Sequence, residues 1–221
     1  MELFVKCMIY IHAFMGGIGL LSGLITVAVK KGGKLHRKLG KVFTVGMGIS
    51  SLLSLIIAVM PKHENTFLFL IGIFTIYMLI SGNRSIKYKK MDADMRIPLD
   101  KIVSVSMLVG SVVMVALFVY CYINKLGNGV LFLFFGLLSG LMAWKDWKFY
   151  NTPALWKKKW LSNHIGKMVG ALIASITAFM VAGLSIHTLS AWIWPSIIGT
   201  FFIIYWIRKT KPKEKIATTA N

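Results

Sequence analysis

The residues with which this chain could do chemistry are few: five histidines, seven acids and a small set of polar groups set among long apolar runs. His36 and His164 stand in similar settings, each just after a basic segment and just before an apolar run. Neutral imidazoles on facing helices are usual axial ligands of haem iron, so this pair could hold a b-type haem. His12, a turn or two inside the first apolar run, is a further candidate ligand. Tyr77, Ser81 and Arg84 fall at i, i+4 and i+7, which is one face of a helix. Asp146, within Trp144-Lys145-Asp146-Trp147, is an acid at a similar depth. Ser162 and Asn163, just before His164, have the chemistry of a helix N-cap. A polar pocket of Tyr77, Ser81, Arg84, Asp146 and Asn163 beside the two histidines is therefore predicted.

Four readings fit this collection. The groups could cap helix ends and bond one another, because helix termini always need partners. The histidines could hold a haem, could titrate along a small-molecule or ion path near neutral pH, or could bind a metal together with Asp146, although no local spacing supports the last. Met47 and Met168 share helices with the paired histidines but read as gap-filling core. The acids are Glu2, Glu64, Asp92, Asp94, Asp100, Asp146 and Glu214, none expected in mid-span, which argues against a carboxylate proton relay. No Walker loop, His-Glu-x-x-His or Cys-x-x-Cys occurs.

The elements that must position these groups follow from the apolar runs. Hydrophobic residues make up 57% and charged residues only 15%, too few charges for a soluble domain of this size. Runs at 7–29, 41–60, 66–83, 102–123, 129–144, 164–184 and 190–207 predict an all-α integral membrane protein of about seven transmembrane helices. They form one membrane domain, 1–209, followed by a basic tail, 210–221. Residues 1–6 lack a basic n-region and no cleavage site follows the first run, so that run is expected to be a retained helix.

The charges set the orientation. All but Lys6, Lys62 and Lys125 of the 26 basic residues fall in segments 30–41, 84–101, 145–167 and 208–221. These segments belong in the cytoplasm, which leaves the N-terminus outside and the C-terminus inside. The net charge of +19 is then a topology signal that also suits anionic lipid headgroups, and a nucleic-acid partner is not expected. Cys7 and Cys121 both fall near the outer side, where a disulfide is permitted but two small apolar residues explain them equally.

Gly19-Leu-Leu-Ser-Gly-Leu-Ile25 and Gly136-Leu-Leu-Ser-Gly-Leu-Met142 suggest two related halves, each followed by a basic segment and then a histidine. Small residues mark close packing. His12, Gly16, Gly19, Gly23 and Thr26 form one stripe, Gly136 and Gly140 a second, and Gly166, Gly170 and Ala174 a third. The first, fifth and sixth helices are accordingly expected inside the bundle.

His12, His36-Arg37-x-x-Gly40, the Tyr77…Ser81-Gly82-x-Arg84 stretch and Gly166-Lys-Met-Val-Gly-Ala…Thr177-Ala-Phe resemble a family of bacterial polytopic membrane proteins without an established activity. The resemblance covers most of the chain and implies a multi-pass protein of the bacterial inner membrane. A fainter likeness to b561-type transmembrane cytochromes implies haem between histidines on facing helices, but a second histidine pair is missing. The sequence thus points first to a haem-binding or quinone-linked redox membrane protein working through His36 and His164. A small-molecule or ion transporter or binding protein, or an accessory membrane subunit, are the alternatives. Oligomeric state is not legible.

Overall fold

The computed structural model describes residues 2–92, 94–126, 129–186 and 188–210; His187 and the basic tail beyond Thr210 lie outside it. Seven α-helices follow one another: α1 Glu2–Ala28, α2 Lys34–Ile57, α3 Thr66–Ser85, α4 Pro98–Ile123, α5 Gly129–Tyr150, α6 Trp156–Ala178 and α7 Leu189–Thr210. No strand occurs among the described residues. All seven helices are long and apolar enough to cross a membrane, as a multi-pass membrane protein requires.

Short connections make successive helices alternate in direction. The links after α1, α3 and α5 therefore share one end with the end of α7, and these links together with the helix turns that flank them carry most of the lysines and arginines; this is the basic end of the bundle. Gly32 turns the chain there with a φ of +75°, a conformation that favours glycine. Lys31 folds back to donate to Val27 O and so caps the end of α1, while its ammonium lies 4.8 Å from the centroid of the Trp206 ring on α7. At the other end, Asn65 caps α3 by accepting from the Leu68 amide at 2.9 Å.

α3 is the hub. It packs against α2, α4 and α6 and touches α5, and more of it is buried than of any other helix. After α3, α5 and α6 are the most buried helices, as expected, but the expectation of α1 inside is corrected: α1 packs mainly along α2 and leaves one face exposed. The glycine stripe explains that contact. A Cβ at Gly46 would stand 2.9 Å from Met15 O and 3.0 Å from the Gly19 Cα, so the two backbones meet almost without side chains between them. Gly23 admits Phe43 of α2 and Leu172 of α6, and Gly136 admits Met114 of α4. Gly170 faces Met78 of α3, but Gly166 has open space beside it and does not belong to the third stripe.

The two-half reading also fails in the packing. α1 lies along α2, whereas α5 lies along α4 and α6 against α3 and α7. Several helices outrun their apolar spans at the basic end. α2 begins at Lys34 rather than 41, α5 runs to Tyr150 rather than 144, and α6 begins at Trp156 rather than 164. Apolarity marks the hydrocarbon thickness, not the hydrogen-bond ladder, and lysines on an exposed helix face carry their charge outward while the helix continues. Segment 145–167, expected as a loop, is thus mostly helix. Cys7 is exposed, Cys121 is buried, and both are free thiols.

Candidate functional site: a buried ionic centre

Lys167 sits on the face of α6 that carries Gly170, Ala171 and Ala174, and that small-residue face lies against α3. Its stem packs where Gly82 has no side chain: a Cβ there would stand 2.9 Å from the Cβ of Lys167. The ammonium reaches Asp146 Oδ2 of α5 at 2.7 Å, and the two side chains are 5% and 4% exposed. Tyr77 of α3 donates its hydroxyl to the same Asp146 oxygen at 2.6 Å and accepts from Lys167 Nζ. The ammonium also lies 4.2 Å from the Tyr77 ring centroid, a favourable place for a cation. Three helices thus supply one buried cation, one buried anion and a hydroxyl that can pass a proton between them.

A second ion pair lies toward the basic end. Arg84 at the end of α3 grips Asp100 in the first turn of α4 with two parallel bonds, Nε to Oδ1 at 2.6 Å and Nη2 to Oδ2 at 2.5 Å. Asp100 is fully buried, so the bidentate fork is what makes its charge tolerable there. Around it the aromatic side chains of Tyr88, Phe149, Tyr150 and Trp156 form a tight cluster with Ile97. Ser81 and Tyr88 are buried with hydroxyl oxygens that complete no hydrogen bond, although Tyr150 stands beside the first and Asp100 beside the second.

The predicted pocket residues divide. Tyr77 and Asp146 meet directly, and Ser81 lies one helical turn from Tyr77 toward the second pair. Arg84 belongs to Asp100 and not to Asp146. Asn163 is half-buried in the second turn of α6 and does not cap it, because that helix begins at Trp156. Asp100, in the first turn of α4, and Asp146, near the end of α5, lie outside mid-span, yet both are buried ion-pair members.

The histidines occupy backbone-facing positions. His164 places Nδ1 2.9 Å from Gly82 O of α3, His36 places Nδ1 3.2 Å from Thr26 O of α1, and His12 places Nδ1 2.9 Å from Ser50 O of α2. Each ring keeps Nε2 for another partner, the orientation that a ligating imidazole uses. Deeper between α2 and α6, however, Asn83 donates to Thr44 at 2.9 Å and approaches the Met168 sulfur at 3.7 Å. Among the described residues, no group of three or more His, Cys, Asp or Glu side chains is placed to hold a metal ion.

Lys167, Asp100, Tyr88 and Tyr150 were not singled out from sequence. For Lys167 a signal existed: it is three, four and seven residues before Gly170, Ala171 and Ala174, hence on the packed face. No known protein family, characterised protein or solved structure shows detectable similarity to this chain.

Proposed function

We propose that this is a multi-pass protein of the bacterial inner membrane, basic end in the cytoplasm, that binds a small anionic solute and moves it together with a proton. The observation that carries the reading is the buried Lys167–Asp146 pair sharing the Tyr77 hydroxyl across α6, α5 and α3. Ionisable groups inside a bundle are costly and by default mark a path for ions or protons. With Asp146 ionised, the pair is neutral and closed. A proton on Asp146 leaves Lys167 as an unpaired buried cation, and an anion arriving from the solution restores neutrality. Proton and anion then favour each other's binding, which is the thermodynamic requirement for coupling. Tyr77, bonded to both partners, is placed to relay the proton. The basic loops anchor the protein against anionic headgroups, and nucleic acid has no part in this reading.

The test is proton movement in proteoliposomes carrying an internal pH dye, challenged with short-chain carboxylates and inorganic phosphate. Wild-type protein is expected to acidify the lumen when one of these anions is added outside, and Asp146→Asn and Lys167→Met to abolish the signal. A folded wild-type protein that moves no protons with any of them overturns the reading. The redox alternative is favoured by the free Nε2 atoms of His36 and His164. A Soret band in the purified protein, lost in His164→Ala, would replace the solute reading with it.

A further inference from the structure

At the basic end, between the start of α4 and the α5–α6 connection, lies an open cavity of about 530 Å³, lined by Arg96, Pro98, Lys101, Tyr150, Asn151 and Trp156 among others. That volume is within the range of about 300–1,000 Å³ of small-ligand sites. No acid lines it. The nearby carboxylates are engaged elsewhere, Asp92 with Lys157 at 3.6 Å and Asp100 with Arg84 at 2.5 Å, while the exposed Asp94 makes no ion pair among the described residues. Arg96 and Lys101 therefore face the cavity without a counter-charge. α4 begins at its edge with Pro98 in the first turn and no side chain capping its amides, so the positive end of a long helix adds to the two cations. Trp156 has its indole N–H committed to Phe149 O at 3.0 Å and offers the cavity only apolar surface.

We infer that this cavity binds a phosphate group. Two unpaired cations match the charge of a phosphate, whereas a single carboxylate would leave one of them uncompensated; the planar fork of Arg96 suits phosphate oxygens in particular. Pro98 and Trp156 provide an apolar flank for whatever the phosphate is attached to. The phosphate belongs either to a soluble molecule or to the headgroup of an anionic phospholipid. The site lies on the way to the buried centre. Tyr150 lines it and stands beside Ser81, which lies one helical turn from Tyr77, the partner of Asp146. Its role as an entrance rests on the proposed solute reading, but binding itself uses neither Lys167 nor Asp146.

The experiment is the thermal unfolding of the full-length protein at constant ionic strength, in two arms. The first titrates inorganic phosphate against chloride in detergent. The second compares nanodiscs of phosphatidylcholine with and without phosphatidic acid. A saturable rise in the unfolding midpoint is expected in one arm or both, with apparent affinity reduced about tenfold or more in R96A/K101A, as the loss of charge-assisted bonds requires. The control K158A/K159A, outside the cavity, should bind as wild type. A response in detergent assigns a soluble phosphate, and a response in nanodiscs alone assigns the headgroup. No response in either arm, or equal responses from wild type and R96A/K101A, overturns the inference. Asp146→Asn protein that moves no protons yet keeps its phosphate response shows that the two proposals stand or fall separately.

Discussion

Lys167 of α6 and Asp146 of α5 meet at 2.7 Å inside the bundle, although their two helices make little backbone contact with each other. Their side chains, with Tyr77 of α3, tie together elements that the main chain leaves apart. The pair is therefore structural as well as chemical, and the two roles separate by measurement.

Removing one partner strands the other as a buried, unpaired charge. Lys167→Met and Asp146→Leu are each expected to cost about 3–5 kcal/mol of stability, and the double variant distinctly less than the sum, because it buries no charge at all. Denaturant unfolding in detergent checks this. Strictly additive losses would mean that the two groups do not interact.

Arg84 and Asp100 test geometry rather than charge. Lysine at position 84 keeps the cation but not the fork, so Arg84→Lys should lose one of the two charge-assisted bonds, about 1.5–3 kcal/mol. A neutral Arg84→Lys would show that charge alone sustains the buried Asp100.

The glycines of α1 and α2 make a position-specific prediction. Gly46→Ala places a methyl against Met15 O and the Gly19 Cα, both backbone, and should cost about 1–3 kcal/mol. Gly17→Ala and Gly48→Ala meet nothing within 4 Å and should be neutral or slightly stabilising. If all three behave alike, the close crossing of α1 and α2 is wrong.

Much of this fold was legible because apolar length and charge clustering are set by the membrane itself. The seven runs and the glycine stripe of α1 correspond to what the structure contains. The site was only half legible. Tyr77 and Asp146 could be placed at one depth, but Lys167 looked like one more lysine of a basic segment, and Asp100 like a loop acid. Hydropathy cannot distinguish a lysine that runs outward from one that turns in; the spacing of Lys167 to Gly170, Ala171 and Ala174 points inward, and its packing beside Gly82 decides it. The central place of α3 was hidden for a related reason. Its partners are chosen by side-chain fit across helices distant in sequence, and no local pattern records that choice.

Orientation has its own test. In a protein with Cys7 and Cys121 replaced, a cysteine at Lys62 should label from outside intact cells with an impermeant maleimide, and one at Lys90 only after the membrane is opened, as the clustering of basic residues requires. The reverse pattern would invert the topology and place the phosphate cavity outside.

The central claim is that Asp146 takes up a proton while Lys167 remains beside it. Infrared difference spectroscopy of the protein in lipid, recorded with and without the anion, reads this directly. The account predicts a protonated-carboxyl band that appears when the transported anion is added and is missing from Asp146→Asn. A spectrum in which no carboxyl band depends on Asp146 would contradict it, and would leave Lys167, Asp146 and Tyr77 as a clasp that holds three helices together.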